Sequence, residues 1–216
     1  MEDPDLYENN KGTIVGIAGD DFVILAADTR ICSDYSIVAR AYIRVHTVPP
    51  NLLVAANGCE ADANAWISDI RSFGISMQVL YDQPLIPKSA ASYSFVSQYK
   101  YRLFPLNIST LIGGFDEQGK SVLYVSDSPG LYHCMPYSAR GASYKYVESL
   151  IDSQLTNAKI NILKDPASLT KDFAKKLILE GFVCSTERST ETGDGVFGYI
   201  ITKDGIEQFG AELRED

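Results

Sequence analysis

The chain is poor in the residues on which most soluble catalysis is built: it has two histidines, four cysteines and one tryptophan. His46 and His133 lie far apart in sequence, each in a strand-like segment. A zinc site needs clustered ligands, so none is expected here. A Ser-His-Asp triad is excluded on similar grounds, since neither histidine accompanies a nucleophile-elbow pattern. Cys32, Cys59, Cys134 and Cys184 are dispersed, with no CxxC pair. They read as four reduced, mostly buried thiols of an intracellular protein. No apolar run approaches the roughly 20 residues of a membrane span, and no signal-type segment opens the chain. Positive charge is also scarce. The net charge is −9 and no basic tract interrupts it, which disfavours non-specific binding to nucleic acid or anionic lipid. Asn107-Ile108-Ser109 matches a glycosylation acceptor but reads as part of a strand.

What the chain does have is a core. Hydrophobic residues make up 45% of its 216 residues, enough for one domain of ordinary size. Residues 1–11 are polar and acidic and read as a flexible arm or short leader, with a single domain over 12–216. Two apolar runs, 13–18 and 22–27, flank Gly19-Asp20-Asp21, the pattern of a β-hairpin. The second run ends in Asp28-Thr29-Arg30. A loop and the start of an extended segment follow over 31–39. A second hairpin, 42–48 with 52–56, turns at Pro49-Pro50-Asn51, and Gly58 ends it.

Residues 60–81 read as a helix with a stripe of Trp66, Ile70, Phe73, Met77 and Leu80. A second helix is expected over 89–103 with Ser89 as N-cap and Tyr93, Tyr99 and Tyr101 as packing residues. Strands follow over 106–113, 121–125 and 131–135, loosely alternating as if buried on both faces. A helix over 142–155 is expected to pack through Tyr146, Val147 and Leu150. Another over 168–184 packs through Leu169, Phe173 and Leu177 behind Pro166. A polar loop over 188–195 precedes a last hairpin, 196–202 with 206–209. Helices in consecutive pairs, separated by hairpins, predict an α+β fold. Two antiparallel sheets stack face to face, with a helix pair on each outer side. The carboxylate pairs Glu60 with Asp62 and Glu187 with Glu191 read as solvated, not as a glycosidase acid/base pair.

The hairpin at 12–30 resembles that of the proteasome β-type subunits, which are N-terminal-nucleophile (Ntn) hydrolases. The likeness continues through Ser33-Asp34-Tyr35-Ser36-Ile37, Ala55-Ala56-Asn57-Gly58, residues 113–120, Asp127-Ser128-Pro129-Gly130, Gly193-Asp194-Gly195 and Thr202-Lys203-Asp204-Gly205. It covers essentially the whole chain after Lys11 and is greatest to a non-catalytic member of the eukaryotic core particle. The resemblance implies a four-layer αββα sandwich and no cofactor. It implies partners in a heteroheptameric β ring, in the opposing β ring and in the adjacent α ring, no nucleic acid or membrane, and a place in cytoplasm and nucleus.

In the active members the hydroxyl of an N-terminal Thr is the nucleophile and its own α-amine the base. Carried over position by position, the nucleophile falls on Gly12 and the hairpin Asp on Asp28. The Lys falls on Arg44, which neither lends nor accepts a proton near neutral pH. Asp28 lies 16 residues after Gly12, and Arg44 another 16 after Asp28. The oxyanion-side Gly matches Gly58. The Gly-rich turn matches Arg140-Gly141-Ala142, without its Ser. The late Asp matches Ser189 and its partner hydroxyl Thr192. The resemblance also sets Asp127 beside a neighbouring subunit's substrate pocket. Two functions follow: a non-catalytic wall of a proteolytic chamber, or an active threonine peptidase. Thr13 competes for the nucleophile's place, but alternation along a strand turns its hydroxyl away from Asp28. Asp28 itself is expected to be buried and bound by amides or by Arg30 or Arg44.

Overall fold

A computed structural model describes residues 9–34, 36–127 and 130–215. Most of the arm, Tyr35 and the Ser128-Pro129 turn lie outside the described residues. Two five-stranded antiparallel sheets form the interior. The first runs in the order β10 (Tyr137–Gly141), β1 (Thr13–Ala18), β2 (Phe22–Asp28), β11 (Gly195–Thr202), β12 (Gly205–Glu212). The second runs β5 (Val45–Val48), β6 (Leu52–Gly58), β7 (Ile108–Phe115), β8 (Ser121–Asp127), β9 (Leu131–Cys134). A small ribbon pairs β3 (Ile31–Ser33) with β4 (Ser36–Ala39).

Alternation along the strands builds the layers. In the first hairpin Ile14, Ala18, Val23 and Leu25 meet Leu53, Ala55, Leu111 and Val125 of the facing sheet. The intervening Val15, Ile17, Phe22 and Ile24 turn outward beneath α3 (Tyr144–Asn157) and α4 (Lys171–Thr186). On the other side Val54, Ala56 and Ile112 pack under α1 (Glu60–Tyr81) and α2 (Pro87–Lys100). Strands buried on both faces read as near-continuous apolar runs, and every side chain of β2 is buried. The fold is the expected four-layer αββα arrangement.

Several local expectations need correction. Residues 137–141 form β10, paired with β1, although Ser138 and Arg140 hide it from an apolar pattern. Helix α2 begins at Pro87 after Ile86, with no side-chain cap, so Ser89 lies inside it. Pro87 suits the first helical position, where its missing N–H would have no partner in any case and its fixed φ is already helical. Helix α3 packs through Val147, Ile151 and Leu155, whereas Tyr146 is exposed. In α1 Trp66 and Ile70 are buried but Leu80, in the last turn of the helix, is exposed. Tyr93 stacks on Phe73 with ring centroids 4.0 Å apart, while Tyr99 and Tyr101 are exposed. Strand β9 is an edge with Leu131 outward, not a doubly buried strand. Only Cys32 of the four thiols is buried, and all four are free. Among the described residues no helix is long and apolar enough to cross a membrane, and no His, Cys, Asp and Glu side chains cluster as metal ligands.

Candidate functional site

The first hairpin and the start of β5 converge at one end of the sheets. Strand β1 faces β2 with Ile14 opposite Ala27, which sets Thr13 beside Asp28, while Gly12 lies just outside the strand. Gly12 takes a positive φ of 79°, a conformation that side chains with a Cβ rarely adopt. A Cβ there would stand 2.4 Å from Arg44 Cζ. The Arg44 guanidinium therefore fills the space where a side chain of residue 12 would go.

Arg44 is buried and its donors are engaged. Its Nε donates to Glu60 Oε1 at 2.9 Å and its Nη2 to the Arg30 carbonyl at 2.6 Å. Its Nη1 donates to the Asp28 carbonyl at 2.9 Å and to Asp28 Oδ1 at 3.3 Å. The Tyr42 ring lies 5.6 Å from Arg44 Cζ. Asp28 is fully buried and also accepts from the backbone N–H of Thr13 at 2.7 Å and of Gly193 at 3.4 Å. Burial pushes Asp28 up to about 6, against the opposing pull of Arg44 and of the Thr13, Gly193 and Arg30 amides. Burial raises Glu60 as well, with Arg44 and Tyr42 opposing it. The expectation of a solvated Glu60–Asp62 pair fails, because Glu60 opens α1 directly beneath Arg44. An acidic residue in a helix's first turn is ordinary on electrostatic grounds alone, so the sequence carried no separate signal for this contact.

Thr13 gives Asp28 only its backbone N–H. Its hydroxyl lies on the opposite side, 3.0 Å from Thr192 Oγ1, and accepts from the Ser143 N–H at 3.0 Å. Thr192 Oγ1 donates in turn to Ser143 Oγ at 2.9 Å. This buried hydroxyl cluster joins β1, the start of α3 and the 188–195 loop. Ser143, one residue beyond the turn read from sequence, is the member that the sequence did not disclose. The Arg140–Gly141 segment is the end of β10, followed by a turn at Ala142 and Ser143. Gly141 has φ 110°, and a Cβ on it would lie 2.1 Å from the Gly12 carbonyl oxygen. That carbonyl accepts from the Ala142 N–H at 2.9 Å and from Asn57 Nδ2 at 3.3 Å.

The other predicted positions separate. Gly58 ends β6 with φ 123° and lines a cleft of about 640 Å³ beside Gly12, together with Asn57, Gly141 and Arg140. Asp127 lines the same cleft from the end of β8 and pairs with Arg140 Nε at 3.1 Å. Ser189 is not part of the cluster, and its hydroxyl accepts locally from the Glu191 N–H at 3.2 Å. Arg30, offered as a partner for Asp28, binds Asp194 instead through Nε at 2.8 Å and Nη2 at 3.0 Å. It also donates to the Thr190 carbonyl at 2.8 Å. Arg40 bonds the same Asp194 carboxylate. Burial would raise Asp194, but its hydrogen bonds and charge pairs with Arg30 and Arg40 prevail and hold it below the usual range.

A family model described as Proteasome subunit matches residues 9–200. "Proteasome subunit beta type-1" of Drosophila melanogaster is 34% identical over 219 residues, covering 100% of this chain and 93% of that protein. "Proteasome subunit beta type-6" of Saccharomyces cerevisiae is 35% identical, over 97% of this chain and 90% of its own length. "Probable proteasome subunit beta type-6" of Schizosaccharomyces pombe is 33% identical over 98% and 97%. Matches of this level over whole lengths, on a chain with two stacked antiparallel sheets between helix pairs, show that the chain belongs to the proteasome subunit family, with the Ntn-hydrolase fold.

Proposed function

We propose that this chain is a non-catalytic, structural β subunit of the proteasome core particle. On this reading it helps to build the β ring and the chamber in which other subunits cut, for ubiquitin-dependent and other intracellular protein degradation. Its partners are the other β subunits of a heteroheptameric ring, the opposing β ring and the adjacent α ring, in cytoplasm and nucleus. The observation that carries the reading is the guanidinium of Arg44 standing over Gly12, where a nucleophilic side chain would have to be. An Arg holds its proton far above neutral pH, so it offers no proton transfer at this position. Thr13, the alternative nucleophile, is supported less well. Its N–H is held by Asp28, and its hydroxyl is committed to Ser143 and Thr192 on the far side.

The competing reading is an active N-terminal threonine peptidase, and chemistry separates the two. A threonine-directed electrophile such as an epoxyketone, applied to the assembled particle, is expected to leave this chain's intact mass unchanged. A covalent adduct mapped by mass spectrometry to an N-terminal Thr13 would overturn the non-catalytic assignment. A wall can still influence cutting. Asp127 is half-exposed beside its Arg140 partner, and we place it at the edge of a neighbour's substrate pocket. Asp127→Ala is then expected to change one peptidase activity of the particle, most for substrates with basic groups. Equal kinetics for every peptidase activity would leave Asp127 only its bond to Arg140.

A further inference from the structure

Beneath the C-terminal half of α2 the sheet carries polar groups where apolar ones would be expected. Thr110 and Ser126 are direct register partners on β7 and β8. Directly opposed side chains of an antiparallel pair share one face, with Cβ atoms about 4.5–5.5 Å apart. That face is the helix side, because Ile108, Ile112 and Tyr124 stand two residues away along the same strands and pack with α1 and α2. Two contacts set α2 over the pair. A Cβ on Gly114 would lie 3.1 Å from Pro87 Cγ, and one on Gly130 3.3 Å from Gln98 Cβ. The helix thus runs toward the end of β8, and Gln98 comes to lie over the end of the sheet where Thr110 and Ser126 stand. Gln98 Nε2 donates at 3.0 Å to Ser94 Oγ, which also accepts from Trp66 Nε1 at 2.8 Å. With its amide anchored on that side, Gln98 keeps one acceptor to spare. All three residues are sealed from solvent, with Gln98 2%, Thr110 0% and Ser126 4% exposed. Gln98 Oε1, Thr110 Oγ1 and Ser126 Oγ are buried and have no hydrogen-bond partner among the described residues.

Buried polar atoms are kept in a fold when they are bonded, and an unbonded one is costly. One acceptor and two hydroxyls, each of which both donates and accepts, are complementary to a single water. We propose that one internal water is bound between Gln98, Thr110 and Ser126. It donates to Gln98 Oε1 and to one hydroxyl oxygen, and accepts from the other hydroxyl. Three hydrogen bonds are the usual complement of a buried water. The site is separate from the degenerate centre, since none of the three residues lines the cleft beside Gly58. The water ties α2, β7 and β8 together at one point. Ser126 immediately precedes Asp127, so the tie fixes the end of β8 from which Asp127 reaches Arg140. The inference concerns this hydration site alone and holds whether or not the chain cuts peptides.

A high-resolution density map of the full chain in its assembled particle tests this without any variant. The expected result is a single solvent peak within hydrogen-bond distance of Gln98 Oε1, Thr110 Oγ1 and Ser126 Oγ. A niche without a peak, with Thr110 and Ser126 bonded directly to each other or to the Gln98 amide, would overturn the proposal. Thr110→Val keeps the shape of the side chain and removes its hydroxyl, and Ser126→Ala removes the second. In the double variant the peak should vanish. The Gly130 N–H, which donates to the Asp127 carbonyl at 2.7 Å, reports on the tie. Its hydrogen exchange is expected to accelerate roughly five-fold in Thr110→Val, although the Thr110 side chain bonds nothing in β8 directly. The Ala26 amide in the middle of β2 should stay unchanged, showing that the domain is intact. Gly130 exchange equal to that of the wild type would refute the water as a tie.

Discussion

Two buried arginines stand at the same end of the fold and serve their carboxylates in opposite ways. Arg30 meets Asp194 with two N–H groups, at 2.8 and 3.0 Å, and Arg40 adds a second cation. Arg44 is spread over two carboxylates and two carbonyls, and reaches the Asp28 carboxylate only at 3.3 Å. Asp194 is consequently held below its ordinary range and Asp28 is pushed up to about 6. A bidentate fork with a second cation overcomes the cost of burial, whereas one shared cation at the edge of its reach does not. Both guanidiniums also press on a glycine. A Cβ on Gly193 would lie 2.7 Å from Arg30 Cζ, and one on Gly12 2.4 Å from Arg44 Cζ.

The largest expected contrast comes from removing each cation. Arg44→Ala strands Asp28 and Glu60 as buried carboxyls without a cation and should cost about 3–5 kcal/mol. Arg30→Ala leaves Asp194 with Arg40 and should cost less, about 2 kcal/mol. Urea unfolding of the purified variants measures both, and equal losses would erase the distinction.

Next in size is the pH dependence, which has opposite signs in the two clusters. Asp28's pKa rises from 3.8 unfolded to about 6 folded. Its contribution therefore favours folding below about pH 3.8 and is lost as pH rises through about 6. That contribution is on the order of 2–3 kcal/mol. Asp194 is depressed, so its contribution is present above its unfolded pKa of 3.8 and is lost as pH falls through its folded value. Asp28→Asn should therefore flatten a decline in stability between pH 4 and 6, as urea midpoints across that interval will show. Asp194→Asn should leave that interval alone and change the profile only at lower pH.

The smallest contrast concerns the glycines. Gly12→Ala must fit a Cβ against Arg44 and hold a positive φ, and is expected to cost about 2–3 kcal/mol. Gly193→Ala meets only a guanidinium and should cost about 1 kcal/mol. Adding Arg44→Lys, with a slimmer head group, should recover part of the Gly12→Ala loss in thermal unfolding. No recovery would show that the backbone conformation, not the guanidinium, sets the penalty.

Legibility followed how local each interaction is. The first hairpin and the full extent of α1 could be read off apolar runs and turn residues, because those signals lie within one element. Strand β10 escaped notice because its partner is β1, more than a hundred residues earlier, and Ser138 and Arg140 break its apolar pattern. The buried face of α3 was misjudged for a related reason. Val147, Ile151 and Leu155 share a helical face, but Tyr146 and Leu150 offered a competing apolar stripe. The exposed thiol of Cys134 depended on β9 becoming an edge strand, and the half-buried ones of Cys59 and Cys184 on how α1 and α4 sit on the sheets.

Around the site the division is similar. By itself the sequence determined which groups could be present: a Gly at position 12, a carboxylate at 28, a guanidinium at 44, and strand alternation that turns Thr13 away from the Gly12 side. These are matters of composition and of the two-residue period of a strand. Only the tertiary structure decided that Arg44 would lie over Gly12, that Glu60 would share it with Asp28, and that Arg30 would turn to Asp194. It also brought Ser143 to Thr13. Each of these contacts joins segments that only the packing of the sheets and loops brings together. Which carboxylate a buried cation serves is decided by distance and desolvation in the folded state, and neither is written along the chain.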